Sequence, residues 1–168
     1  MNYSSKFTEL CFSEQLLVWA MRVWDRTSNP SENLHHILRD GLAKAGVPNA
    51  YIPLDSTMTI LQESSLITRQ TGCPDGDCKN FEYLWALEKL LLIAIAELQL
   101  SKHWERSNNP LRPYIRPTGM RLIAQPIDQL AATLLNSNIL IPLKEWDIQL
   151  DRLLPNESPE VIQERVFH

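Results

Sequence analysis

Residues 80–106, NFEYLWALEKLLLIAIAELQLSKHWER, constrain the fold more than any other part of the chain. At about 100° per residue, Phe81, Leu84, Trp85, Leu87, Leu91, Leu92, Ile95 and Leu98 cover nearly the whole circumference of a helix. A surface helix needs only one apolar stripe, so a helix apolar on most sides must be enclosed by others. Lipid is not what encloses it. The uncharged run Leu90–Ala96 lies between Lys89 and Glu97, and the longest such run, Gln129–Leu143, contains Asn136, Ser137, Asn138 and Pro142. Both fall short of the about 20 apolar residues needed to span a bilayer, so no membrane partner is expected. The reading is an all-α, single-domain bundle of six or seven helices over 1–154, built round a long, mostly buried central helix near 80–106.

The other elements follow from spacing and punctuation. In 12–26, FSEQLLVWAMRVWDR, Phe12, Leu16, Trp19 and Val23 form one stripe, and Leu17, Ala20, Met21 and Trp24 form a second beside it. An arc that wide, roughly 200° on the helical wheel, has to touch two neighbours, one of which could be a second copy of the chain. Ser13 is the expected cap. Residues 29–46 read as a helix capped by Asn29, Pro30 and Glu32, burying Leu34, Ile37, Leu38, Leu42 and Ala45, and ended by Gly46. A weaker helix is expected near Asp55–Ser65, with Met58 and Leu61 inward, then a short extended piece at 66–69. The three prolines of 107–119 make that stretch a long connection. Two further helices are expected. One covers 126–136, with MRLIA before it either continuing past Pro126 or standing apart. The other begins at Pro142, with Leu143, Trp146, Leu150, Leu153 and Leu154 on one face. The tail 155–168 repeats a cap signal at Ser158, Pro159 and Glu160, consistent with a short helix.

Composition narrows the function. The net charge of −4 argues against a general nucleic-acid binder. The opening MNYSSKFTELCFSEQ has no apolar run behind a basic start, so no secretory leader is expected, and the three cysteines suit a reducing cytosol. A helix-turn-helix at 41–62 is disfavoured. Pro48 and Pro53 break it, and no Lys or Arg follows Lys44. No phosphate-binding glycine loop, HExxH or G-x-S-x-G is present. His35 and His36, on a helix beside an apolar face, read as boundary residues.

Two clusters could carry chemistry. In TGCPDGDCKN, Cys73 and Cys78 have the widest spacing used by zinc hooks, but no second ligand pair exists to complete four-coordination. A redox pair would be expected as Cys-x-x-Cys in a βαβ setting. Lys79 and Asn80 fall where a calcium loop wants a ligand and a glycine. The favoured reading is plain: Pro74 and Gly76 turn the chain, and Asp77 or Asn80 caps the long helix. No cofactor is expected, zinc being the one metal the cysteines could take. The second cluster is basic. Lys102, Arg106, Arg112, Arg116 and Arg121, against Glu105 alone, give 102–121 a charge of +4 and leave −8 on the rest. Arginines on a proline-stiffened loop suit an anion or an acidic partner, or they are simply solvated.

The sequence reading is therefore a non-enzymatic cytosolic binding or regulatory module. It acts through protein–protein contacts and self-associates through helical surface such as the Phe12, Leu16, Trp19, Val23 stripe. The alternatives are anion or nucleic-acid binding by the arginine loop, and a thiol- or metal-dependent sensor at Cys73 and Cys78.

Overall fold

The computed structural model describes residues 6–27, 34–66, 82–101, 110–146 and 148. Five α-helices occur among them: α1 (Phe12–Thr27), α2 (His35–Lys44), α3 (Tyr51–Ser64), α4 (Ala86–Ser101) and α5 (Pro117–Asn136). Short 3-10 turns precede α1, α3 and α5. No strand forms among the described residues. Two isolated bridges, Lys6 with Tyr83 and Ser65 with Ile115, are the only extended pairings there.

The all-α expectation holds, and α4 is its centre. Eleven of its sixteen residues are buried, so its covering must come from several directions. Leu91 and Ile95 are fully enclosed, and Leu87, Leu90, Leu92 and Leu98 join them in one core with Met21, Leu38, Met58 and Ile127. α5 packs along both α3 and α4, and α1 touches α2, α3 and α4.

Several expected boundaries move for local reasons. α4 starts at Ala86, because Glu88 turns its carboxylate back to the Trp85 N–H at 2.8 Å and caps the helix there. Asp77 and Asn80 lie outside the described residues, as does everything from 102 to 109. α3 starts at Tyr51, with Pro53 in the first turn, where a missing N–H costs nothing. Asp55, expected near its start, lies one turn inside it, and its carboxylate accepts the Trp24 indole N–H at 2.7 Å. α2 ends at Gly46, whose φ of 82° is the left-handed turn expected there. The cap expected at Asn29, Pro30 and Glu32 lies outside the described residues. α5 is continuous from Pro117 and carries Pro126 in its interior. Pro126 has no N–H to give Leu122, yet the helix persists because Ile123, Ile127, Leu130 and Leu134 all lock into the core.

Six or seven helices were expected, and five form among the described residues. No helix forms over 139–146. Asn138, at φ 58°, turns the chain sharply after α5, and Ile139 and Ile141 then enter the core on either side of exposed Leu140. The Gln99 amide holds them there: its Nε2 donates to the Ile139 carbonyl at 3.0 Å and its Oε1 accepts the Ile141 N–H at 2.8 Å. Trp146 is buried as its spacing suggested, but Leu143 is 52% exposed. Leu150, Leu153, Leu154 and the 155–168 tail lie outside the described residues.

The joint between α3 and α5 is unusually close. Leu66 N–H donates to the Tyr114 carbonyl at 2.8 Å and Arg116 N–H to the Ser64 carbonyl at 2.9 Å. A methyl group on Gly119 would overlap Ser64 Oγ and Cβ. Gly119→Ala should therefore destabilise the protein by about 1–3 kcal/mol through overpacking, although the same change in an open helix is stabilising by about 1 kcal/mol. Urea unfolding of the variant checks the sign.

Candidate functional site

Three surface regions stand out, and the first is a corner where α1 begins. Glu14, fully buried, accepts the Cys11 N–H at 2.9 Å and the Lys144 ammonium at 2.7 Å through the same Oε2, while its Oε1 has no hydrogen-bond partner among the described residues. Ser13, expected as the cap, reaches away instead and donates to the Leu140 carbonyl at 2.6 Å. With the Gln99 clasp, these bonds strap 139–144 against α1 and α4. Three exposed apolar residues lie on or next to the tied segments: Phe12 is 65%, Leu140 60% and Leu143 52% exposed.

The rest of the predicted stripe turns inward. Leu16 is in the core, and Trp19 and Val23 are half-buried against it. Trp19 lies so close over Gly41 of α2 that a methyl group there would meet its ring. The stripe thus serves the fold, and Phe12 is its one widely exposed member.

The second region is the turn before α5. Arg112, Arg116 and Arg121 are all exposed, and no described acid pairs with them. Lys102 and Arg106 lie outside the described residues, as do Cys73 and Cys78. Among the described residues no group of three or more metal-ligating side chains forms, and Cys11 is a free, exposed thiol.

The third region was not anticipated. His35, His36, Arg39 and Asp40 of α2 and Tyr51 of α3 line a cleft of about 430 Å³. The turn at Gly46 and Val47, closed by Val47 N–H donating to the Leu42 carbonyl at 2.8 Å, brings α3 back beside α2. Tyr51 Oη then lies 2.9 Å from His35 Nδ1, with the two rings edge to face. The Arg39 guanidinium sits 4.4 Å above the Tyr51 ring centroid. Helical spacing places His35, His36, Arg39 and Asp40 near each other, but only the α2–α3 turn adds Tyr51.

Beneath the surface, Arg22 and Glu88 tie α1 to α4. The guanidinium donates through Nε and Nη2 to the two carboxylate oxygens at 2.6 and 2.9 Å, and Nη2 also reaches the Tyr83 carbonyl at 2.9 Å. The Phe7 and Trp85 rings flank it. Burial raises the Glu88 carboxyl above its ordinary value, and Arg22 and the Trp85 N–H oppose that rise.

Comparison with protein-family models, curated proteins and solved structures finds no match to this chain.

Arg22→Met leaves the Glu88 carboxylate buried without its counter-charge and should cost about 3–5 kcal/mol at neutral pH. A carboxyl whose folded pKa is raised holds its proton more tightly folded than unfolded. Its contribution to stability is therefore present at acid pH and lost as pH rises through the folded value. In the variant, with Arg22 no longer opposing, the loss should shrink as pH falls through that value and Glu88 protonates. Urea titrations of both proteins across that range check this; a pH-independent difference would show that the ion pair is not the cause.

Proposed function

We propose that this protein is a non-enzymatic helical binding module that self-associates through the corner formed by Phe12, Leu140 and Leu143. The observation that carries the reading is the corner itself. Three large apolar side chains, each more than half exposed, sit on segments held together by the Ser13–Leu140 hydrogen bond and the Glu14–Lys144 ion pair. Single exposed apolar residues are ordinary, whereas a group of them on segments tied together marks a contact face. A second copy is the simplest occupant, since an apolar patch can meet its own copy across a two-fold axis. The rest of the α1 stripe lies against its own chain, which moves the contact from the body of α1 to its first turn.

Light scattering on the wild-type protein should show a concentration-dependent dimer. Phe12→Ser with Leu140→Ser should weaken it at least about tenfold per lost apolar contact, with the helical circular-dichroism signal unchanged. A wild-type protein that stays monomeric at high concentration overturns the reading.

A second reading has its own observation. Arg112, Arg116 and Arg121 stand exposed where α5 begins, at the positive end of that helix dipole. They would suit a polyanionic partner. Polyphosphate should bind at low salt, weaken steeply as salt rises, and bind poorly to Arg112→Ala/Arg116→Ala. Absence of binding at low salt removes this reading.

A further inference from the structure

We infer that the cleft between α2 and α3 binds the phosphoryl group of a small, hydroxylated molecule, with Arg39, His35 and His36 as its donors and Asp40 as the acceptor for a hydroxyl. The inference uses none of the residues of the apolar corner or the arginine turn.

The donor set is built rather than scattered. The Arg39 guanidinium carbon lies over the Tyr51 ring, 4.4 Å from its centroid. A cation–π contact restrains the guanidinium and still leaves N–H groups to fork onto two oxygens of one anion. Tyr51 holds His35 in turn through the 2.9 Å contact between Oη and Nδ1. When the phenol donates to Nδ1, the ring proton resides on Nε2, so the neutral imidazole still presents a donor. His36 follows on the same turn and is exposed. With the phenol proton spent on His35 Nδ1, Arg39 and the two His are the donors left for a ligand, and three separate side chains are more than the two coplanar oxygens of a carboxylate suit. The peripheral oxygens of a phosphoryl group match them better. Asp40 is the one carboxylate lining the cleft. It repels a bare anion but accepts a hydroxyl on a larger ligand, and about 430 Å³ holds more than a phosphate ion alone.

The test is NMR of the histidine ring signals at fixed pH and ionic strength, titrating inorganic phosphate and glycerol 3-phosphate separately. His35 and His36 signals should shift saturably, with glycerol 3-phosphate binding more tightly than phosphate. Arg39→Gln should weaken both at least about tenfold, the loss expected for a charge-assisted pair. Asp40→Asn should tighten phosphate and erase the preference for glycerol 3-phosphate. Phe12→Ser and Arg112→Ala should leave binding unchanged, which separates this site from the other two. Shifts that do not saturate, or that are the same in Arg39→Gln, overturn the proposal. So does tighter binding of phosphate than of glycerol 3-phosphate.

Discussion

The architecture depends on covering α4. A helix that offers apolar surface nearly all round gains from burial in every direction, so hydrophobicity alone would leave the arrangement of its neighbours loosely specified. Two polar side chains near its ends remove that freedom. Glu88 at the start pairs with Arg22 of α1, and Gln99 near the end pairs with the backbone of 139–141. Each would be costly if left unpaired in the core. The register of α1 and the path of the chain after α5 are both set by this need.

How legible this was follows from the kind of signal each part carries. The centrality of α4 was plain, because a helix apolar on every face and too short in its uncharged run to cross a bilayer has to be covered by other helices. The apolar spacing of α1, α2 and α5 and the stop at Gly46 were plain as well. The start of α4 was misplaced because the cap is Glu88 acting backwards on Trp85, and an acid inside a hydrophobic run does not announce that role. The helix expected from Pro142 does not form over 142–146, for a related reason. Leu143, Trp146 and Leu150 have helical spacing, yet Ile139 and Ile141 have strand-like spacing just before them, and only Gln99, forty residues away in sequence, decides between the two.

The candidate sites were less legible than the fold. Phe12 was singled out as part of an apolar face and is exposed, but whether Trp19 lies outward depends on Gly41 of another helix leaving room for it. The arginines before α5 were visible as a run of charge, and their exposure agrees with that. The cleft was missed because two of its essential parts, Tyr51 and the Arg39 over its ring, become neighbours only once the Gly46 turn is made. Sequence offered His35 and His36 alone, which most often mean nothing more than a helix boundary.

The grip of Gln99 on 139–141 has an evolutionary corollary. It holds carbonyl and amide groups that every amino acid supplies, so the outward residue between them is exempt from the demands of folding. Position 140 is thus free to drift in shape and polarity while the scaffold stays put. Descendants of this chain could change what they touch at that corner without first surviving a less stable ancestor.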